Sequence, residues 1–207
     1  FMDVSSEMVY PLVPLFLSST LGVSKSVVGV IEGIAEASAS LLKLFSGMLA
    51  DRFGKNKLLM GIGYATSVAS RPVLALATGW GMVLTARFAD RVGKGIRTAP
   101  RDAIIAGSAP PERWGLAFGF HRALDTAGAI VGPAVVLLIL AVWATDYRQV
   151  FWLSIIPGML AVALIVLFIS ADGRSSKTRP PFSWSLGGFD RSFQGFLLVI
   201  GLFSLGN

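Results

Sequence analysis

Cysteine is absent from the 207 residues, histidine occurs once, and only 14% of the side chains are charged. Without cysteine there is no disulfide, no thiol nucleophile and no thiolate metal site. A lone histidine does not build a histidine-based metal site, so neither a metal nor a cofactor is expected. No G-x-x-x-x-G-K-[S/T] loop occurs, which argues against direct ATP drive within this chain. Neither a basic start nor a cleavage site appears, so no signal peptide is read. So little charge is rare in a soluble domain of this size. Lys and Arg outnumber Asp and Glu by 18 to 12. In a soluble protein that excess would hint at nucleic acid. In an apolar chain it reads as basic bias in loops, and no nucleic-acid partner is expected.

What the chain has in quantity is apolar. It is 54% hydrophobic, with a mean hydropathy of +0.69. A run of about 20 apolar residues spans a bilayer, and there is room for about six. The predicted helices run from Met2 to Ser19 with Pro11 and Pro14 inside, Ser26 to Leu49, Leu58 to Ala77, Gly81 to Ala106, Gly115 to Val142 and Gln149 to Ser170. Pro110-Pro111 breaks the chain before the fifth helix. Pro157-Gly158 is the expected kink in the sixth, tolerated in membrane helices when neighbours re-satisfy the backbone. A polar linker, 171–190, follows, and 191–207 begins a seventh helix and a second domain. The domain expectation is therefore a six-helix unit over 1–170, a cytoplasmic linker and a truncated carboxyl-terminal domain. Both ends fall in membrane-like segments, so the chain reads as a piece of a longer protein.

Charge sets the expected orientation. The loop after the second helix has Arg52, Lys55 and Lys57, and the loop after the fourth has Arg113 with Arg101 near its start. The linker has Arg174, Lys177, Arg179 and Arg191, whereas the opposite loops have only Lys25 and Arg148. The loops after helices two, four and six are therefore placed in the cytoplasm, in a multi-pass protein of the inner (plasma) membrane. Six helices can form two groups of three with inverted topology.

Three motifs stand out. Gly47-Met48-Leu49-Ala50-Asp51-Arg52-Phe53-Gly54-Lys55-Asn56-Lys57 lies between the second and third helices. Arg87-Phe88-Ala89-Asp90-Arg91-Val92-Gly93 lies in the fourth, and Gly128-Ala129-Ile130-Val131-Gly132-Pro133 in the fifth. In this order they resemble motifs of the major facilitator superfamily. The first is similar to its G-x-x-x-D-R-x-G-R/K signature. The second is similar to R-x-x-Q-G-x-G, with Asp90 in place of Gln and Arg91 in place of Gly. The register starting at Arg87 puts Pro100 near the family's proline; a register from Arg91 is the alternative. The third is similar to the G-x-x-x-G-P antiporter motif, with Val136 where a further Gly is common.

The resemblance implies an all-α membrane fold of twelve helices. This chain would supply the amino-terminal six, as two inverted three-helix repeats, plus the start of the seventh. It also implies that Gly47, Asp51, Arg52, Gly54 and Lys55 form a conformational latch. Asp51 and Arg52 would hold the cytoplasmic side against the carboxyl-terminal half, beyond Asn207. Asp51 is read near a helix amino terminus, whose dipole favours a carboxylate. Gly128, Gly132 and Pro133 would bend the fifth helix and seal the pathway; packing alone is the other reading.

Ionisable residues inside membrane helices face a cavity or a partner. The candidates for a substrate and proton pathway are Asp3, Glu7, Glu32, Glu36, Arg71, Arg87, Asp90, Arg91, Lys94, His121, Arg122 and Asp125. Arg87, Arg91, Lys94 and Arg101 recur at helical spacing and form one stripe. That stripe is either a basic wall for an anionic substrate group or is paired internally with Asp3, Glu7, Glu32, Glu36, Asp90 and Asp125. Glu32 with Glu36, or Asp3 with Glu7, can hold a coupling proton, because two carboxylates four apart do not both ionise cheaply. Static ion pairs to the fourth helix are the alternative. A cation site on the same four carboxylates is conceivable. His121 and Asp125, four apart, can relay a proton, or His121 can be a packed interior donor.

The expected function is not enzymatic. It is secondary active transport by alternating access, with proton-coupled export of a small molecule as the leading reading. Proton-coupled uptake of an organic anion is the alternative, and a non-transporting membrane receptor a third. The expected partners are a small-molecule substrate, protons, the lipid bilayer and the missing carboxyl-terminal half.

Overall fold

The fold was obtained as a computed structural model that describes residues 1–143, 146–169, 190, 192, 195, 196 and 199; for 44 and 49–53 it describes the backbone alone. The chain divides into two compact units, Phe1–Ser176 and Lys177–Asn207. In the second, residues 192, 195, 196 and 199 are helical. The linker 171–190 lies outside the described residues apart from Asp190.

Among its described residues the first unit consists of helices joined by short turns. The first membrane segment is broken into α1 (Met2–Val9), α2 (Leu12–Leu15) and a π-turn (Phe16–Thr20). Pro11 and Pro14 have no N–H to give the carbonyls one turn earlier, so the ladder cannot run through them. Then follow α3 (Lys25–Phe53), α4 (Asn56–Ala75), α5 (Trp80–Gly107), a 3-10 turn (Pro111–Arg113) and α6 (Trp114–Val142). The sixth segment is α7 (Tyr147–Leu153) followed by α8 (Ile155–Phe168). The break falls at Ser154 rather than at Pro157-Gly158, because Pro157 withholds the hydrogen bond from the Leu153 carbonyl, one turn before it.

One boundary corrects the sequence reading. The second segment does not end at Leu49, since α3 continues to Phe53. No breaker intervenes until Gly54, whose φ of 60° is left-handed and turns the chain. Asp51 therefore lies in the last turn of α3, not near a helix amino terminus. The dipole there disfavours a carboxylate, so that supposed stabilisation does not operate.

The helices pair across the two halves of the unit. α1 packs on α6 and α8, α3 on α5, and α4 on α5, α7 and α8. Numbered as membrane segments, one meets five and six, while four meets two and three. That is the symmetric pairing expected when segments 1–3 and 4–6 are related by a pseudo-two-fold, as in an inverted repeat.

Polarity is distributed inside out. Among the described residues, Arg71, Arg87, Asp90, Arg91 and Arg97 are buried, while Leu137, Leu138, Leu167 and Phe168 are at least 65% exposed. An apolar exterior of this extent fits hydrocarbon, where the charges cannot go. By length and composition, two helices of the described residues suffice to cross a membrane unaided, Pro111–Val142 and Tyr147–Phe168. The remaining segments are broken or less apolar, and they pack buried charges such as Arg71, Arg87 and Asp90 against neighbouring helices. An apolar core closes the other end around Val9, Val13, Phe16, Ile31, Leu74, Val83 and Phe151. There the Phe16 and Phe151 rings meet edge-on at 5.3 Å. Arg148 donates to the Ala75 and Ala77 carbonyls at 2.6 and 2.7 Å, capping the end of α4.

Candidate functional site

Glycines let the helices that carry charge come close. A Cβ at Gly63 would lie 2.6 Å from the Gly93 carbonyl oxygen, and one at Gly93 would lie 2.5 Å from that of Gly63. α4 and α5 thus touch backbone to backbone, which only glycine permits. The crossing brings Ser67 and Arg71 of α4 against Asp90 and Arg97 of α5. Arg71 Nη2 lies 3.3 Å from Asp90 Oδ1 and donates to Ser6 Oγ at 3.1 Å. Arg97 Nη1 donates to Ser67 Oγ at 2.9 Å, and its guanidinium stacks on the Tyr64 ring at 4.6 Å.

α3 supplies the countercharge for the outer part of α5. Arg87 Nε donates to Glu32 Oε1 at 3.0 Å, and its Nη2 donates to Oε2 of the same carboxylate, a two-point fork. Arg91 Nε lies 3.2 Å from Glu36 Oε2 as an ion pair without hydrogen-bond geometry. Asp90 Oδ2 stands 3.9 Å from Arg87 and 4.0 Å from Arg91. Tyr10 covers both guanidiniums, with its ring centre 5.0 Å from Arg87 and 5.2 Å from Arg91. Gly95, against Leu42 on α3, sets the approach of α3 to α5.

The third contact is α1 on α6. A Cβ at Gly128 would lie 3.0 Å from Asp3 Cβ, and one at Gly132 would lie 2.7 Å from Glu7 Cβ and 3.0 Å from the Val4 carbonyl oxygen. The two glycines of the fifth-segment motif are therefore the bed on which α1 lies, and they position Asp3 and Glu7. Asp3 interacts with Asp125 on α6, a group of its own sign. His121 Nε2 lies 3.3 Å from Asp125 Oδ2, off hydrogen-bond geometry, and Arg101 Nη1 is 4.0 Å from the same oxygen.

These contacts border a half-open polar cavity of about 210 Å3 between α1, α3 and α5, with Asp3, Glu7, Glu36, Arg91, Lys94 and Arg97 among its lining. A larger groove of about 560 Å3 between α4 and α8 is apolar except for Lys55 and Lys57 at its rim, and it holds none of the charges described above. The polar cavity is the candidate site because the unusual chemistry converges there.

Of the sequence candidates, Asp3, Glu7, Glu36, Arg87, Asp90, Arg91 and Lys94 line the cavity. Glu32 and Arg71 stand directly behind it as partners of Arg87 and Asp90. His121 and Asp125 form a neighbouring group on α6. Arg122 is exposed on α6 and is not brought into either group. The stripe on α5 divides: Arg87, Arg91 and Lys94 face the cavity, whereas Arg101 turns to Asp102 at 3.1 Å and towards Asp125. Gly47 and Gly54 meet nothing within 4 Å, and Lys55 is exposed. The Asp51 and Arg52 side chains of the latch motif lie outside the described residues.

The sequence reading missed Ser6, Tyr10, Tyr64 and Ser67 as site residues and left Arg97 out of the pathway. A signal for two of them was present: Asp3, Ser6, Glu7 and Tyr10 follow the i, i+3, i+4, i+7 spacing of one helix face. Arg97, three after Lys94 and four before Arg101, also lay at same-face spacing, and the α4 crossing holds it through Ser67 and Tyr64.

A family model described as Major Facilitator Superfamily matches residues 1–206. The chain is 33% identical over 205 residues to the uncharacterised MFS-type transporter MJ1317 of Methanocaldococcus jannaschii, covering 99% of the chain and 51% of that protein. It is 28% identical over 173 residues to the multidrug resistance protein MdtH of Photorhabdus laumondii, covering 84% of the chain and 42% of MdtH. It is 25% identical over 169 residues to the quinolone resistance protein NorA of Staphylococcus aureus, covering 82% of the chain and 42% of NorA. The chain thus spans about half the length of these relatives. Among solved structures, a mutant of the peptide transporter POT in complex with sulfate superposes with a TM-score of 0.75 at 16% identity, over 99% of the chain and 42% of that protein. At that identity the likeness concerns the fold alone.

Proposed function

Because the chain belongs to the major facilitator superfamily, and so to an integral membrane protein, we propose that it forms the amino-terminal half of a secondary active transporter. The transporter works by alternating access and exports a small molecule in exchange for protons. The observation that carries this reading is the half-open charged cavity between α1, α3 and α5 in a unit whose exterior carries many exposed apolar side chains. Ionisable groups at such depth are costly, and a transport pathway is what gives them a use. Efflux-type names among the relatives support export over uptake.

In this reading Glu32 and Glu36 hold Arg87 and Arg91 in place. The coupling proton is shared by Asp3 and Asp125, two interacting carboxyls of like sign that do not both ionise cheaply. His121 relays it. The loops after segments two, four and six face the cytoplasm, and Gly47, Asp51, Arg52, Gly54 and Lys55 latch that side against the carboxyl-terminal half. Uptake of an organic anion by proton symport is the second reading, favoured by the cationic Lys94 and Arg97 in the cavity wall.

The test is reconstitution of the full-length protein in liposomes containing a trapped pH dye, with counterflow measured across a panel of labelled small molecules. Exchange of substrate for protons in opposite directions is expected. Movement of both in the same direction establishes the symport reading, and binding without counterflow establishes a receptor.

A further inference from the structure

The charges around the cavity are unevenly paired. Arg87 is neutralised by Glu32, Arg91 faces Glu36, and Asp90 serves Arg71. Arg97 is held by Ser67 and the Tyr64 ring, whereas Asp3 meets Asp125, a group of its own sign, and has no countercharge. Two further lining groups are left. Glu7 on α1 and Lys94 on α5 make no ion pair and no side-chain hydrogen bond among the described residues.

Their surroundings are opposite in sign. Lys94 interacts with the cations Arg91, Arg97 and Lys43, against the single carboxylate of Glu36. α1 presents Asp3 and Glu7, one turn apart, and carries no Lys or Arg of its own. Tyr10 fixes the two helices together by stacking on Arg87 and Arg91. From that point α1 leads back to Glu7 and Asp3, and α5 leads on to Lys94 and Arg97. A negative wall and a positive wall therefore bound one space.

We propose that the ligand of this cavity is a zwitterion, its ammonium held by Glu7 and its carboxylate by Lys94. The proposal rests on the transport reading above and names the class of molecule carried. Glu7 and Lys94 are each half-buried, an unpaired charge partly withdrawn from water is costly, and a ligand that satisfies both ends reduces that cost twice. A simple anion leaves Glu7 unpaired and meets Asp3 beside it; a simple cation leaves Lys94 unpaired among three other cations. The cavity of about 210 Å3 equals the share of about seven liquid waters, room for the charged ends of an amino-acid-sized molecule. Such a ligand carries no net charge, so the coupling proton alone sets the charge moved.

The experiment is a thermal-shift titration of the full-length protein in detergent, without any gradient. The probes are phenylalanine and alanyl-alanine, each compared with its N-acetyl derivative, which is anionic, and its amide, which is cationic. At least one free zwitterion is expected to bind, with both of its blocked forms roughly tenfold weaker, the scale of one charge-assisted contact. K94Q is expected to bring the amide level with the zwitterion, and E7Q to do the same for the N-acetyl form. K94R and E7D are expected to restore the preference. If E7Q does not fold, K94Q with its K94R rescue decides. The proposal is overturned if neither zwitterion binds, if a singly charged form binds as well as its parent, or if K94Q weakens all forms alike. Counterflow is read separately, so a protein that transports yet prefers single charges overturns the zwitterion and leaves the transporter standing.

Discussion

Arg71 and Asp90 form a buried ion pair between α4 and α5, 3.3 Å apart, with side chains 2% and 6% exposed. Asp90 is also the carboxylate nearest to both Arg87 and Arg91 on its own helix. One acidic residue therefore anchors three guanidiniums.

Asp90→Asn is expected to be the most damaging single change at the site. It leaves Arg71 without a countercharge, and breaking one side of a buried pair costs about 3–5 kcal/mol. The thermal midpoint in detergent should fall well below wild type. The double substitution Arg71→Met with Asp90→Leu should recover most of the loss, because it removes the stranded charge. Equal midpoints for Asp90→Asn and wild type would sink this account.

Gly132→Ala is expected to push α1 off α6. The new methyl would stand 2.7 Å from Glu7 Cβ and 3.0 Å from the Val4 carbonyl, a backbone atom that cannot swing away. Overpacking of this kind costs about 1–3 kcal/mol. Gly119→Ala on the same helix meets nothing within 4 Å and should be neutral or stabilising. Comparing the two by thermal unfolding and by counterflow separates the packing effect from helix propensity.

Tyr10 tests the cover over the arginines. Tyr10→Phe keeps an aromatic face and should bind ligand like wild type. Tyr10→Leu loses two cation–π contacts, each worth about 0.5–2 kcal/mol, and should weaken ligand binding severalfold. Similar affinities for the two variants would show that the ring acts only as apolar bulk.

Asp125→Asn is expected to uncouple. Substrate counterflow, which needs no net proton movement, should persist, while substrate-driven proton movement stops. Replacing both Glu32 and Glu36 by Gln should instead lower stability and leave the substrate-to-proton ratio unchanged, since those carboxylates face Arg87 and Arg91. Loss of coupling in that pair, with Asp125→Asn still coupled, would move the proton site to α3.

Much of this was legible in one dimension. The order and approximate length of the membrane segments follow from polar breaks such as Pro110-Pro111 and the basic stretch Arg52 to Lys57. The depth of Arg87, Asp90 and Arg91 follows from their place inside an apolar run. The glycine pair Gly128 and Gly132 was visible as a packing motif, though not that α1 lies on it. The end of α3 was placed at Leu49, ahead of the charged Asp51-Arg52 pair, whereas the residue that takes a left-handed φ and turns the chain is Gly54. Arg122 was counted in the pathway as an ionisable residue inside a membrane helix, but adjacent residues on a helix point about 100° apart, and unlike its neighbour His121 it is exposed.

By itself, the sequence determined that this chain is a bundle of membrane helices and that its buried charges must meet one another, because hydrocarbon cannot solvate them. Which charges meet was decided only by the tertiary structure. Glu32 and Arg87 are 55 positions apart and Ser6 and Arg71 are 65 apart. Their pairing depends on the register in which α3 and α4 cross α5 and α1 crosses α6. That register is set by close contacts at Gly63, Gly93, Gly95, Gly128 and Gly132, which the periodicity of any single helix does not encode.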